Sequence, residues 1–213
     1  MKILIYIILI SLISISNCKE GKEEKVNNNS SGQEEIKVEN NSKKNGEENE
    51  ETSILDIKEK YKIIEQSVLR EEKYPLNCDV GENTLSFFYD KDELKKIIYK
   101  IGADHGYEKK NYYFWNGKVF FIFIEGGTWR FETEHTTIDT FYQKRYYIQN
   151  DQPIRCLEKE VEGKKDLEKR LTTLPNKEIK ECSNQSEEFK NLFITIEDVK
   201  KAVKLKQYEK LCL

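Results

Sequence analysis

Hydrophobic and polar positions are patterned most sharply over residues 112–124, where two apolar runs flank Asn116-Gly117. Asn-Gly suits a two-residue type I′ turn, in which both central residues take φ > 0. That turn predicts pairing of Trp115 with Lys118, Phe114 with Val119, and Tyr113 with Phe120. Alternation then places Tyr113 and Trp115 on one face, Tyr112 and Phe114 on the other. Two weaker copies of the scheme follow from the same pattern. Phe87-Phe88-Tyr89 leads through Asp90-Lys91-Asp92-Glu93 to Leu94, and Arg145-Tyr146-Tyr147-Ile148 leads through Asn150-Asp151 to Pro153-Ile154. Aligned on their turns, the three share an aromatic pair: Phe87/Phe88, Tyr112/Tyr113 and Tyr146/Tyr147. Their spacings of 25 and 34 residues are too unequal for a solenoid, so they predict three successive hairpins in an antiparallel meander. Pro153 cannot donate to a ladder, which places the last strand at an edge. Residues 119–124 are apolar on both faces, which predicts a strand covered on both sides.

Helical periodicity brackets these hairpins. Ile54, Ile57, Tyr61, Ile64 and Val68 recur at spacings of three and four, on one helical face. Ser53-Ile54-Leu55-Asp56 has the form of a capping box at the start of that helix, and Tyr74-Pro75 falls beyond its end. Toward the C-terminus, Leu167, Leu171 and Leu174 form a stripe ended by Pro175. Residues 187–194 are a second helical candidate. Thr195-Ile196-Glu197-Asp198 offers another capping box, before Val199, Val203, Tyr208 and Leu211. Residues 125–136 are either a long loop or a further short strand. The predicted class is α+β: an antiparallel meander of about six strands with an N-terminal helix and C-terminal helices.

The first residues have a different character. Lys2 precedes an almost unbroken apolar run, residues 3–15, too short for a bilayer span of about 20 residues and patterned like a secretory signal peptide. It ends at Ile15-Ser16-Asn17-Cys18, which resembles the lipobox of bacterial lipoproteins, in its relaxed form because Asn17 replaces the usual small residue. The resemblance implies cleavage before Cys18 and a diacylglycerol on its thiol. Lys19 stands where Asp would retain such a protein in the inner membrane, which implies the outer membrane, on its periplasmic or surface face. Between Lys19 and Thr52 there are six Lys and ten Glu and almost no apolar residues. Such a segment predicts a disordered tether with an end-to-end reach of about 30 Å. The organisation expected is a signal peptide over 1–17, a lipidated Cys18 with its tether over 18–52, and one α+β domain over 53–213.

Charge and candidate chemistry narrow the function classes. The net charge is −3 with pI near 5.7, without the clustered basic face that nucleic acid demands. Of the two histidines, His105 sits in a turn beside Asp104 and His135 in a polar loop. Neither has the partner spacing of a zinc site, and no Gly-x-Ser-x-Gly or His-Glu-x-x-His motif occurs. Asp90, Asp92 and Glu93 fit a polar hairpin turn better than a calcium loop. No cofactor is implied. The aromatic residues divide between core and an exposed patch for a glycan or protein ligand, the latter best supported at Trp115 and Trp129. Tyr74-Pro75-Leu76-Asn77-Cys78, followed by a strand, resembles the start of lysozyme-inhibitor lipoproteins.

Four cysteines remain after Cys18: Cys78, Cys156, Cys182 and Cys212. In an exported chain an even number predicts two disulfides. The favoured pairing is Cys78–Cys156 with Cys182–Cys212, ahead of Cys78–Cys182 with Cys156–Cys212; the alternative is four free thiols. Together these features predict a non-catalytic, outer-membrane-anchored binding or interaction module. An envelope hydrolase with paired carboxylates and an inhibitor of a lysozyme-type enzyme are the rivals.

Overall fold

The computed structural model describes residues 41–78 and 81–211. Helix α1 (Asn41–Gln66) is followed by seven strands: β1 (Arg70–Leu76), β2 (Asn83–Asp90), β3 (Glu93–Ala103), β4 (Gly106–Trp115), β5 (Lys118–Thr133), β6 (Thr136–Gln149) and β7 (Gln152–Gly163). Helix α2 (Leu167–Thr173), the short strand β8 (Lys177–Glu178), helix α3 (Glu187–Leu205) and a 3-10 turn (Tyr208–Leu211) complete the described residues. Every strand pairs antiparallel with the next, giving one eight-stranded sheet in sequence order.

The three expected hairpins are β2–β3, β4–β5 and β6–β7. The two strands beyond the expected six are the outermost ones. β1 is mostly charged and contains Pro75, and β8 has only two residues, both charged. Charge, proline and shortness are the devices that blunt a sheet edge, and they also erase the alternation that announces a strand. Pro153 pairs with Ile148 of β6, whereas β8 reaches only Leu157 and Glu158. Its position is therefore an edge, although β7 is not the outermost strand. Residues 125–133 continue β5 as strand. Gly126 and Gly127 fit there because a Cβ on Gly126 would lie 2.4 Å from the Tyr142 ring, and one on Gly127 would lie 3.1 Å from the Phe141 ring.

Asn116 (φ 50°) and Gly117 (φ 75°) form the expected left-handed turn. Trp115 faces Lys118 and Phe114 faces Val119, but Tyr113 faces Phe121, not Phe120. A bulge skips Phe120, and the same slip occurs at the same place in the other two hairpins. Phe88 faces Lys96 while Tyr89 faces Leu94, skipping Lys95; Tyr147 faces Arg155 while Ile148 faces Pro153, skipping Ile154. A bulge turns two successive residues to one side and strengthens the local twist. All three skipped residues point to the side covered by α1. Phe120 and Ile154 join its apolar cluster, and the Lys95 ammonium lies 4.8 Å from the Trp115 ring.

The two sheet faces hold separate cores, with Tyr113 and Trp115 on one and Tyr112 and Phe114 on the other. On the first, Ile54, Ile57 and Ile64 of α1 pack on Tyr113, Phe120, Phe121 and Tyr147. The helix begins at Asn41, so Ser53 is interior to it rather than its cap, and residues 41–52, expected in the tether, are helical. Val68 lies past the helix end and is fully exposed; Leu69 packs in its place. Residues 1–40, with the leader, Cys18 and the rest of the tether, lie outside the described residues.

The opposite face is covered by Phe189, Leu192, Ile196, Val199 and Ala202 of α3, closed by Leu211. α3 is one continuous helix capped by Ser186, whose Oγ accepts from the Phe189 amide. The second capping box is not used: the Thr195 hydroxyl donates to the Asn191 carbonyl one turn back (2.8 Å). The α2 stripe forms a third cluster, Leu167 and Leu171 on Phe141 and Val161, with Leu174 left at its exposed end.

Cys156 is bonded to Cys182, with Cα atoms 5.5 Å apart. This overturns both the favoured and the second pairing. β8 folds back along β7, and the Ile179 amide donates to the Cys156 carbonyl (3.0 Å), bringing Cys182 beside the strand. Cys78 is also disulfide-bonded, its partner lying outside the described residues, as does Cys212.

Candidate functional site

α1 covers the hairpin end of its sheet face and α2 the far end. Between them runs a band covered by neither helix, half-buried to buried, and strand alternation fixes what it presents: Phe121, Phe123 and Glu125 from β5, Tyr147, Arg145 and Gln143 from β6, Leu157 and Lys159 from β7. A cleft of about 280 Å³ lies where this band meets α1, lined by Ile57, Lys58, Tyr61, Phe121, Phe123, Arg145 and Tyr147. Its aromatic wall is ordered by edge contacts of Tyr61 with Tyr113 (5.1 Å) and Phe121 (5.4 Å). Burial, then the Glu65 charge, raises the Tyr61 pKa above its ordinary value, so its hydroxyl stays neutral. α1 is held above the sheet by Glu65, which accepts from Lys96 (2.6 Å) and the Tyr113 hydroxyl (3.0 Å), and by Ser53, which donates to Gln149 (3.2 Å).

Arg145 is the central charge of this cleft. Its guanidinium stands 4.9 Å from the Phe123 ring. It donates through Nη1 to Asn176 Oδ1 (2.9 Å) and through Nη2 to Gln143 Oε1 (2.8 Å). Both acceptors are neutral amides, so they fix the group without cancelling its charge. Burial pulls its pKa below the usual arginine value, and the Glu125 charge, which acts to raise it, does not offset this. Lys159 is only 8% exposed and sits opposite Gln143 on the same face. Burial and then the Arg145 charge lower its pKa. Two acids border this band: Glu125 is engaged by Lys109 (2.8 Å) and Glu178 by Arg155 (2.7 Å). Among the described residues neither Arg145 nor Lys159 forms an ion pair.

The sequence singled out neither of these cations, though a signal was there. Residues 157, 159 and 161 read Leu-Lys-Val, with the lysine in the apolar phase. Arg145 shares the phase of Tyr147. Trp115 and Trp129, the expected ligand residues, lie at opposite ends of β4's length and form no common site. Trp115 is partly buried beneath α1 and carries two ammonium groups, Lys95 and Lys60 (5.8 Å). Trp129 stacks on His105 (4.2 Å) and meets Phe131, which is 62% exposed, edge-on at 5.3 Å. Glu93 of the first hairpin turn pairs with Lys95 (2.7 Å). Among the described residues no three His, Cys, Asp or Glu converge as metal ligands.

On the α3 face two carboxylates are each gripped by a tyrosine and a lysine. Glu108 takes Tyr142 (2.9 Å) and Lys110 (3.1 Å); Glu188 takes Tyr146 and Lys144, both at 2.7 Å. Burial acts to raise the Glu188 pKa, but Lys144 and Tyr146 outweigh it and hold the carboxyl below its ordinary range. A larger hollow of about 520 Å³ lies beside α3, at the turns after β4 and β6. There Lys200 is paired with Glu197 (3.2 Å) and laid over Phe114. No family model matches the chain, and neither a curated protein nor a solved structure matches it.

Proposed function

We propose that this is an exported lipoprotein, anchored in the outer membrane through Cys18, whose folded part is a non-catalytic binding module. The observation that carries it is the cross-linking of Cys156 to Cys182, with Cys78 also bonded, behind a lipobox-like leader. Such bonds form and persist outside the reducing cytosol. Among the described residues no helix is long and apolar enough to cross a membrane; in this reading, membrane contact is made by the lipid on Cys18. Binding rather than glycoside hydrolysis is supported by the carboxyls. A carboxylate-pair hydrolase keeps one carboxyl protonated by raising its pKa, whereas Glu72, Glu82, Glu93, Glu132 and Glu188 are all pushed the other way.

A second reading, an inhibitor of a lysozyme-type enzyme, is favoured by one feature. β5 and β6 run on past Thr128, which faces Gly106 at the start of β4, and carry the exposed Phe131 on their shared tip. Thiol alkylation in intact cells tests the compartment. Cys156 and Cys182 are expected to resist alkylation until a reductant is added. Free labelling of both without reductant would place the chain in a reducing compartment and end the proposal.

A further inference from the structure

We infer that the cleft beneath α1 is an anion site, taking a small monocarboxylate whose apolar group lies among Tyr61, Phe121, Phe123 and Tyr147 and whose carboxylate meets Arg145, with Lys58 on the cleft wall and Lys159 beside Arg145 on the sheet. The inference rests on the binding-module reading but not on the anchor.

Charge supplies the first reason. Arg145 and Lys159 are diagonal neighbours on adjacent strands, since Arg145 faces Leu157 and Lys159 faces Gln143. Diagonal Cβ atoms in a sheet are roughly 7–8 Å apart, a gap one carboxylate spans when held between two long cationic side chains. A half-buried cation is costly unless paired, and among the described residues neither finds a carboxylate. The acids on this face are occupied, Glu125 by Lys109 and Glu178 by Arg155.

Geometry supplies the second. Gln143 and Asn176 take one Nη donor each and leave the Nε–H and the second hydrogen of each Nη. The guanidinium is pinned by those amides and by Phe123, so little of its rotamer freedom remains to be lost on binding. A planar fork held this way matches a planar carboxylate better than a spherical ion. Size supplies the third. Drug-sized ligands fill pockets of about 300–1,000 Å³, and this cleft, at about 280 Å³, suits a smaller molecule. Four of its seven lining residues are aromatic, which suits a flat group joined to the carboxylate.

The test uses the full chain in detergent solution and ligand-observed NMR with three probes: phenylacetate, its neutral isostere phenylacetamide, and acetate. Phenylacetate is expected to bind at least tenfold more tightly than either of the others. Arg145→Gln and Lys159→Gln are each expected to weaken phenylacetate by at least fivefold, while Arg130→Gln, whose partner Glu162 lies at the far end of the sheet, leaves it unchanged. Circular dichroism confirms that the variants fold, and the probe comparison on the unaltered chain decides the matter if they do not. If phenylacetamide binds as well as phenylacetate, the cleft is a binding site but the anion assignment is wrong. If no probe binds, the binding reading of this cleft fails with it.

Discussion

Removing the Cys156–Cys182 bond should cost the domain about 3.5 kcal/mol. The bond closes a loop of 26 residues. The chain-entropy relation for such a loop gives about 12 cal/mol/K of unfolded-state entropy removed, or about 3.5 kcal/mol at 25 °C. A further cost attaches to Cys156 alone, which is 1% exposed within the α3-side core; Cys182 is only partly buried, so little packing is lost there. Cys182→Ala therefore isolates the cross-link, and Cys156→Ala/Cys182→Ala adds the cavity, about 1 kcal/mol more. In a domain of this size each kcal/mol moves Tm by about 2–4 °C, so the single variant should melt about 7–14 °C lower. Urea unfolding followed by circular dichroism gives the free energy directly. Amide exchange should quicken at Ile179, whose hydrogen bond reaches the Cys156 carbonyl, and at Phe189, capped by Ser186 just after the bridge. A loss below about 1 kcal/mol for Cys182→Ala would refute the reasoning.

The Tyr112 hydroxyl is buried and, among the described residues, its polar neighbour is Thr195, which donates to Asn191 and meets it only loosely, so Tyr112→Phe should change stability by no more than about 1 kcal/mol in the same urea assay. Tyr146→Phe, which strips a 2.7 Å bond from Glu188, should instead cost about 1–2 kcal/mol, toward the low end because the acceptor is half exposed. Gly106→Ala places a Cβ 2.2 Å from the Gly127 carbonyl oxygen; backbone must move, and thermal melting should show a loss of about 1–3 kcal/mol. Peptide mapping without reduction is expected to join Cys78 to Cys212, the remaining member of the four once Cys156 and Cys182 are taken. A peptide joining Cys78 to Cys18 would contradict that and remove the thiol the anchor needs.

The three hairpins were legible because their turns and aromatic pairs repeat locally. The Asn116-Gly117 turn demands positive φ whatever surrounds it, so its nearest pairs followed from sequence. The bulges did not, because skipping Phe120 depends on what lies above it. Phe120 is apolar in either register, and only contact with α1 selects the face it takes. β1 and β8 escaped notice because edge strands are made polar and short. The helix ends were misjudged where capping residues occur without capping: Ser53 and Thr195 both lie inside helices. The cleft was hidden for another reason. Arg145 and Lys159 are fourteen residues apart in sequence and meet only through the β6–β7 register. Trp115 looked like a ligand platform because sequence does not show Lys60 and Lys95 converging on its ring.

The central claim is that a lipid on Cys18 holds this domain in the cell envelope. It is tested most directly by growing cells that express the full chain, or its Cys18→Ala form, with labelled palmitate. Label should appear on the unaltered chain and be lost from Cys18→Ala, which should accumulate as a larger precursor. Label retained by Cys18→Ala, or absent from both, would contradict the anchor.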